Sequence, residues 1–447
     1  MTLDRILFNT AMKFAMLCAT FTFIENFACA QSDPTDSPPP SHDVTLDIDS
    51  GSLSNNSDEV QLVWSHTVYV QDAKWTRLHF DTLLLTEGEK SNSVLKMTSL
   101  EDGAFQILEQ ETAHQWRNTS AFFNGNQILL QLFAHPNSKH NRVAIGMATA
   151  GEEQGPPPET ICDVIDDREL SNDARIGRTS GGCTAWLFNG RSNCMITAGH
   201  CAASADVIFF NVPISDPDGS LNFPPPEDQY SVDADSVQAM ANGSGADWCY
   251  FGCFNNSNTG LSPLAAQGSS LQLAMPNAPG KNGQIRITGF GTTSAPVSPT
   301  FNAAQKTHVG PYEELDGTIL RYRTDTTGGN SGSPVILEET GEAIGVHGQG
   351  GCGSQNNGAN RGTGFNNVAW QVAIDNPLGI CAESQLQLGD INCDGAVDLL
   401  DVGPFDDCSA MVNSWTRQTS IRTALSICWM SVHLLPCSAA SGSSDLN

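Results

Sequence analysis

The sequence predicts a mostly β protein with more than one domain, and three observations lead to this prediction. The chain has 447 residues, more than one hydrophobic core usually contains. Strand-like runs divided by turn-forming residues occupy residues 42–150 and predict a β-sandwich. Residues 161–383 are rich in Gly, Val, Ile and Thr, with short strands and long loops, and predict an all-β barrel architecture.

The β-sandwich prediction rests on several apolar, strand-like runs. These runs are 60-VQLVWSHTVYV-70, 75-WTRLHFDTLLL-85, 127-QILLQLFA-134 and 142-RVAIGMA-148. Stretches such as NNSD, EDG and FNGN separate them and are typical of turns. The proline-rich residues 31–41 and 151–160 are predicted to be linkers on either side of this domain.

The N-terminus has the features of a secretory signal peptide covering residues 1–30. Arg5 and Lys13 precede the apolar run 14-FAMLCATFTFI-24, and Ala28, Cys29 and Ala30 fit a cleavage site. The run is too short to span a membrane comfortably. We therefore expect a secreted protein, in which an even number of cysteines after residue 30 favours disulfide bonds.

The net charge of −28 argues against nucleic acid or anionic lipid as a partner.

A serine stands among glycines in the stretch 324-TDTTGGNSGSPV-335. Glycines allow a positive φ and a close approach of the backbone to another group. The backbone N–H groups of Gly329 and Ser331 could point into one small space, which is how an oxyanion hole is formed beside a nucleophilic serine. A plain turn between two strands is the alternative on this stretch alone, so a base must be found elsewhere.

The predicted base is His200, in the stretch 194-CMITAGHC-201. An apolar strand ends immediately before it, and small residues surround it. The segment 181-GGCTAWLF-188 supplies a neighbouring strand with Cys183, and a Cys183–Cys201 disulfide would hold the loop that carries the histidine.

The third catalytic group should be a buried carboxylate that orients the histidine. Asp206, Asp233, Asp235 and Asp247 lie between the two motifs. Asp206 follows the histidine too closely to reach behind it. Asp233 and Asp235 are predicted to lie in a polar loop, where a solvated role suits them. Asp247, directly before an apolar stretch, is the candidate.

In this interpretation His200 takes the proton from Ser331, and Asp247 orients the imidazole and stabilises its charged form. The motifs TAGHC, Asp-Trp and GNSGSPV, in this order, resemble those of chymotrypsin-like serine peptidases. The resemblance covers about residues 161–383. It implies two antiparallel β-barrels with the catalytic triad in the cleft between them, and a reaction that needs no cofactor.

Within that group the chain looks most like the bacterial glutamyl endopeptidases. The segments that carry this likeness are 163-DVIDDR-168, 326-TTGGNSGSPV-335, 345-GVH-347 and 360-NRGTGFNN-367. The resemblance implies that His347 lines the substrate pocket and meets an acidic side chain, with Thr326 in the pocket wall. It also implies that the mature chain begins near the DDR segment.

Two residues depart from the expected patterns. Asp325 lies six residues before Ser331, where trypsin-like enzymes keep a pocket aspartate for Lys or Arg, so cleavage after basic residues is the alternative specificity. Asn330 stands where those enzymes have the aspartate that receives a newly freed amino terminus. Asparagine cannot form that ion pair, so any activation must use another mechanism.

The stretch 390-DINCDGAVDLLD-401 has the spacing of a calcium-binding loop. Oxygen side chains alternate around a glycine turn and end in a carboxylate, as Ca²⁺ requires. The predicted ligands are Asp390, Asn392, Asp394, the Ala396 carbonyl, Asp398 and Asp401. The loop resembles those of dockerin modules, so residues 388–408 are predicted as a small EF-hand or dockerin-like segment. Dockerins usually have two such loops, which leaves a cohesin-like surface partner as a possibility only.

The favoured hypothesis is a secreted serine endopeptidase that cleaves after acidic residues. The alternatives are a catalytically inactive, peptidase-like binding protein and a surface scaffold in which the calcium loop is the essential part. Residues 42–150 are either a propeptide, released by a cut after Glu159, or a retained domain. Residues 409–447 are a tail to which the sequence assigns no fold.

Overall fold

The computed structural model describes residues 39–152, 159–162, 164–280, 282–352 and 358–383, with residues 159 and 160 described by their backbone alone. The predicted signal peptide, most of both linkers, the predicted calcium loop and the C-terminal tail lie outside these residues. The prediction of a mostly β protein with a β-domain ahead of a double barrel is confirmed.

The N-terminal domain, called the accessory domain below, is a sandwich of two four-stranded antiparallel sheets. One sheet has the order β1-β8-β3-β6 and the other β2-β7-β4-β5. Their strands are β1 (Ser41–Asp49), β2 (Gln61–Tyr69), β3 (Trp75–Leu84), β4 (Val94–Ser99), β5 (Phe105–Leu108), β6 (Phe123–Asn124), β7 (Gln127–Ala134) and β8 (Arg142–Gly151). The single helix described in this domain is α1 (Gln110–Gln115).

Strand β7 shows why these residues form a sandwich. Ile128, Leu130, Leu132 and Ala134 are fully buried, while the residues between them are half-buried. Successive side chains of a strand point to opposite faces, so this alternation places one complete apolar row between the two sheets.

Two short strands, β9 (Glu159–Thr160) and β10 (Glu169–Leu170), precede the first barrel in the chain. The first barrel closes in the order β11-β12-β13-β16-β15-β14. Its strands are β11 (Ile176–Thr179), β12 (Thr184–Leu187), β13 (Cys194–Thr197), β14 (Val207–Phe209), β15 (Gln229–Ala241) and β16 (Asp247–Cys253). One short helix, α2 (Pro263–Gln267), follows it.

The second barrel has the strand order β18-β17-β21-β22-β23-β19 and closes through pairing of β18 with β19. Its strands are β17 (Gln284–Gly289), β18 (Lys306–Asp316), β19 (Ile319–Tyr322), β21 (Pro334–Leu337), β22 (Ala343–Gln349) and β23 (Asn360–Gly364). Strand β10 extends it beside β18, and β20 (Thr326–Thr327) pairs with β9. Two helices, α3 (Val368–Asp375) and α4 (Gly379–Glu383), end the described chain.

The two barrels share an apolar core at their interface. Trp186, Ile196 and Tyr250 of the first barrel pack in one cluster with Val346 of the second barrel and Trp370 of α3. Burying such large side chains is the main favourable contribution to association of the barrels. This shared core holds the two barrels against each other. None of the described helices is both long enough and apolar enough to cross a membrane.

Among the described residues, three disulfides join parts of the peptidase segment to one another. They are Cys162–Cys352, Cys183–Cys201 and Cys194–Cys381. Not every described cysteine is paired, because Cys249 and Cys253 are buried thiols on β16. Burial raises the pKa of both thiols, so they remain protonated and behave as small apolar side chains.

The accessory domain packs on the first barrel through a shared aromatic core. Phe122 stacks on Phe223 with ring centroids 4.8 Å apart and meets Phe209 edge-on at 5.1 Å. Trp75 contacts Phe223 at 5.2 Å. These residues belong to one buried cluster that also contains the sandwich interior. Such ring pairs each add about 0.5–1.5 kcal/mol beyond their burial.

Side-chain amides continue this interface by pairing with the backbone of the other domain. Gln229 donates to the Phe122 carbonyl at 2.8 Å and accepts from its N–H at 2.9 Å. Asn124 makes the same double contact with Phe223, at 3.0 and 2.9 Å. Asn258 accepts from the Ile107 N–H at 2.8 Å. The backbone polar groups at this boundary are therefore satisfied as in a domain interior.

We expect Phe223→Ala to lower the free energy of unfolding by about 3–5 kcal/mol, because it removes a fully buried ring from this core. The control is Leu261→Ala, whose side chain is 47% exposed and whose loss should change stability by about 0.5 kcal/mol or less. Urea unfolding followed by tryptophan fluorescence measures both. Equal stability of the two variants would show that the domains do not share a core.

Candidate active site

His200 lies at the end of β13, at the edge of the first barrel. The strand passes into a 3₁₀ turn, Gly199–Ser204, and the histidine is its second residue. A side chain at Gly199 would collide with the backbone of Met240, so the turn can pass this point only with glycine. The Cys183–Cys201 disulfide, buried at both ends, holds the turn to the neighbouring strand.

Asp247 is the first residue of β16 and is 3% exposed. One carboxylate oxygen accepts the His200 backbone N–H at 2.9 Å, and the other lies 2.7 Å from His200 Nδ1. The Asp247 N–H donates to Thr363 Oγ1 of the second barrel at 3.0 Å. The carboxylate therefore fixes both the position of the histidine and the orientation of its ring.

The other aspartates considered from the sequence have different partners. Asp206 pairs with Arg117 of the accessory domain at 2.8 Å. Asp233 accepts the Ile380 N–H at 2.7 Å and the Asp235 N–H at 3.0 Å. The predicted polar loop for Asp233 and Asp235 is wrong, because both lie in β15 and Asp233 is buried. The contacts of Asp206 and Asp233 serve domain docking, the attachment of α4 to β15 and a local turn rather than the histidine.

Ser331 lies in a tight segment, residues 327–333, which we call the serine loop. Gly329 and Gly332 adopt φ of +99° and +88°, a region that side chains strongly disfavour. A Cβ on Gly332 would collide with the Thr184 carbonyl and would stand 3.1 Å from the Ala198 nitrogen. The serine loop thus packs directly against the strand end that leads into His200.

The peptide groups of the serine loop have a defined direction. The Gly328 carbonyl accepts from the Thr292 N–H at 2.9 Å, and the Asn330 carbonyl accepts from the Ser333 N–H at 2.9 Å. In a trans peptide the N–H points opposite to the carbonyl. The N–H groups of Gly329 and Ser331, which follow these carbonyls in the chain, are therefore directed away from Thr292 and Ser333.

The predicted pocket residues lie on adjoining strands at one end of the second barrel. His347, on β22, is 2% exposed, and its Nδ1 lies 2.6 Å from the Tyr322 hydroxyl. Thr326 Oγ1 accepts from Asn360 Nδ2 at 2.9 Å. Tyr322 and Asn360 are register partners across β19 and β23, which connects the two predicted residues.

Asp325 is buried and contacts the start of the peptidase segment. Its Oδ1 accepts the Cys162 N–H at 2.9 Å, and its own N–H donates to His308 Nδ1 at 2.7 Å. Asp167 lies 3.1 Å from His308 Nε2. Within the described chain, Asp167, His308 and Asp325 are close enough for a metal ion, but both His308 nitrogens already have protein partners. The group formed by Cys183, His200 and Cys201 contains a disulfide and offers no thiolate.

Several residues that shape the site were not predicted from the sequence. Tyr322 lies in a strand with no distinguishing pattern. Thr363 lies in the segment 360-NRGTGFNN-367, which does not show what this residue contacts. Only strand pairing brings them to His347 and Asp247. Arg168 was visible within the DDR segment, but its side chain lies beside the serine loop, where it donates to Thr327 Oγ1 at 2.7 Å. A buried arginine cannot be recognised from sequence when its partners are more than a hundred residues away.

The chain is similar to one protein family and to several solved structures. Residues 183–346 match the family described as trypsin-like peptidase domain, and this segment contains His200, Asp247 and Ser331. No curated protein matches the chain at a significant level.

Solved structures similar to the chain include three named proteases, each at low identity. One is a Glu endopeptidase in complex with MPD, at 19% identity, covering 48% of this chain and 98% of its own, with a TM-score of 0.37. Another is the thermostable serine protease AL20 from an extremophilic microorganism, at 13% identity, 46% and 98% coverage and a TM-score of 0.33. A third is neuropsin, from mouse brain, at 15% identity, 46% and 96% coverage and a TM-score of 0.35.

We expect Gly332→Ala to destabilise the protein more than Gly341→Ala. Both glycines have positive φ, at +88° and +75°, but a Cβ at Gly341 would meet nothing within 4 Å. The backbone penalty is common to both, so the difference in unfolding free energy reports the clash with Thr184, on the order of 1–3 kcal/mol. Urea unfolding measures it, and equal values would contradict the close packing of the serine loop.

Proposed function

We propose that the chain is a secreted serine endopeptidase in which His200, Asp247 and Ser331 form the catalytic triad. The observation that carries this proposal is the double contact of Asp247 with the backbone and the ring of His200, beside a serine loop packed on the same strand end. The match of residues 183–346 to a trypsin-like peptidase domain supports the same reaction class.

The geometry supports a definite division of roles. The Asp247 carboxylate accepts a hydrogen bond from His200 Nδ1–H, which makes Nε2 the basic nitrogen of the ring. Ser331 Oγ attacks the carbonyl carbon of the scissile peptide while its proton passes to Nε2. The same proton then goes to the leaving amine, and water hydrolyses the acyl-enzyme in a second, equivalent cycle. The N–H groups of Gly329 and Ser331 stabilise the oxyanion.

We propose cleavage after acidic residues on the basis of His347. The Tyr322 hydroxyl lies 2.6 Å from Nδ1, and we propose that it is the donor in this contact. The proton of a neutral His347 is then on Nε2, the nitrogen that we assign to a substrate carboxylate. Asp325 favours this specificity as well, because one of its oxygens already accepts the Cys162 N–H. Cleavage after Lys or Arg, with Asp325 as the specificity residue, is the competing proposal.

The contacts of the accessory domain affect what a cut in the linker would do. A cut after Glu159 stays a prediction, but the shared aromatic core and the reciprocal amide contacts favour a domain that remains bound after such a cut. The calcium loop at 388–408 and the tail lie outside the described residues. Both, and the cohesin-like partner, stay predictions from the sequence.

A fluorophosphonate, which labels an activated serine, distinguishes the peptidase from an inactive binding protein.

We expect Ser331→Ala and His200→Ala each to reduce peptide cleavage by about three or more orders of magnitude while the fold is retained. The reason is that each residue takes part directly in proton transfer or bond formation. Turnover on a peptide library and circular dichroism of the purified variants measure both properties. Ser333→Ala, in the same loop but without a proposed chemical role, serves as the control. Near wild-type cleavage by either triad variant would refute the assignment.

We expect the wild type to cleave after Glu, and His347→Gln to lower kcat/KM for that substrate by about 10–100-fold, the usual effect of losing a hydrogen bond to a charged group. Asp325→Asn is the comparison variant and should retain the preference for Glu. A peptide library profiled with all three proteins measures this. Preference for Lys or Arg that disappears in Asp325→Asn would show that the acidic specificity is wrong.

A further inference from the structure

Asp166 and Arg168, which precede the first barrel in the sequence, form a buried ion pair. Arg168 Nε and Nη2 donate to the two oxygens of Asp166 at 2.8 and 2.6 Å. The side chains are 1% and 7% exposed. Burial would raise the pKa of Asp166, but the hydrogen bonds and charge of Arg168 lower it overall, so the pair is ionised. Two charges are removed from water here, which is tolerated only when their remaining hydrogen-bonding groups are satisfied.

The other donors of Arg168 are directed at the serine loop and its support. Nη1 donates to Thr327 Oγ1 at 2.7 Å and to Asn330 Oδ1 at 3.2 Å. Nη2 also donates to the Thr292 carbonyl at 2.8 Å. Arg168 is therefore one fixed fork that contacts both ends of the turn before Ser331.

Asn330 links Arg168 to the backbone beside Ser331 through its side-chain oxygen. It is 1% exposed, and its Oδ1 accepts the Thr327 N–H at 3.0 Å in addition to Arg168. A Cβ on Gly291 would collide with Asn330 Oδ1 and would stand 2.5 Å from Arg168 Nη1. The side chain of Asn330 is thus confined, and so is the peptide that joins Asn330 to Ser331.

A second basic side chain lies close to the pair. Lys306 lies nearby and donates to the carbonyls of Gly291, Phe301 and Ala304 at 2.6, 2.6 and 3.0 Å. Burial, and then the charge of Arg168, lower the pKa of Lys306. Asp166 is the acidic group that this arrangement places against Arg168, so removing either partner leaves an uncompensated buried group.

We propose that Arg168, held by Asp166, is a positioning residue that orders the oxyanion-binding peptide of Ser331 without any free amino terminus. The inference rests on the proposed peptidase function. It follows that the uncut chain, with the bond between residues 159 and 160 intact, already has a formed oxyanion hole. Processing of the linker is then unnecessary for activating Ser331.

A second arginine provides a matched control for a merely structural role. Arg175 makes the same bidentate pair with Asp173, at 2.8 and 2.6 Å, with the same two-residue separation. Its side chain is 33% exposed, and its described side-chain hydrogen bonds go to Asp173. Replacing either arginine removes an Asp-X-Arg ion pair. Only replacement of Arg168 also removes a contact with Asn330.

The test measures the rate of fluorophosphonate labelling of full-length protein. In this reaction the Ser331 Oγ–P bond forms, the P–F bond breaks with loss of fluoride, and the hydroxyl proton passes to His200. We expect Arg168→Gln to slow labelling, and to lower kcat on a Glu-containing peptide, by about 10²–10³-fold, as for loss of an oxyanion donor. KM should stay near its wild-type value. Arg175→Gln should label at the wild-type rate.

A second pair of variants covers the case in which Arg168→Gln does not fold. Asn330→Leu keeps the Asp166–Arg168 pair but removes the oxygen that Arg168 contacts, and should slow labelling similarly. Asn330→Asp keeps that oxygen and should retain more of the rate than Asn330→Leu. Equal labelling of Asn330→Leu, Asn330→Asp and the wild type would overturn the inference.

A third arm tests the uncut chain. Glu159→Ala, with an intact linker verified by mass spectrometry, should label at the wild-type rate. If it labels only after the linker is cut, a free amino terminus is required and the inference is wrong. If the wild type itself is not labelled, the proposed peptidase function fails instead. If the wild type is labelled and Arg168→Gln matches Arg175→Gln, only the inference fails.

Discussion

The close contact between the serine loop and the end of β13 is the constraint on which the rest of the site depends. At Gly332 the loop meets the Thr184 carbonyl and the Ala198 nitrogen with no room for a Cβ. At Gly199 the histidine turn meets the Met240 backbone in the same way. Interiors are packed to crystal-like density, so approach at this distance needs glycine on one side. The two barrels can therefore bring a serine and a histidine together only with this distribution of glycines.

Buried cations perform much of the remaining positioning in this strongly acidic chain. Arg168 connects the stretch just before β10 to the serine loop. Arg178 lies over the rings of Phe209 and Phe223, at 5.5 and 5.1 Å, inside the boundary with the accessory domain. Burial lowers the pKa of Arg178 to about 9, and it still carries its charge at neutral pH. Carbonyls, a carboxylate or aromatic faces hold each cation in one position. Each cation therefore fixes the relative position of the chain segments that contact it.

The accessory domain is part of the same folded unit as the first barrel. Its aromatic residues complete a cluster with Phe209 and Phe223, and its backbone is paired by Gln229 and Asn258 of the peptidase segment. Domains that merely share a tether have smaller and more polar contacts. The accessory domain accordingly covers the first barrel at Phe209 and Phe223.

The sequence by itself determined the β class, the sandwich, the candidate triad residues and their order, because these depend on local patterns: strand periodicity in 127–134, glycines around Ser331 and small residues before His200. Tertiary structure decided the partners. Asp247 was chosen by elimination among four aspartates, and only pairing of β13 with β16 brings it to His200. No local pattern marks Tyr322, and the segments 163-DVIDDR-168 and 360-NRGTGFNN-367 do not show what Arg168 and Thr363 contact. Asp325 binds the Cys162 backbone. Their roles arise from contacts across 25 to more than 160 residues of chain, which no local pattern encodes.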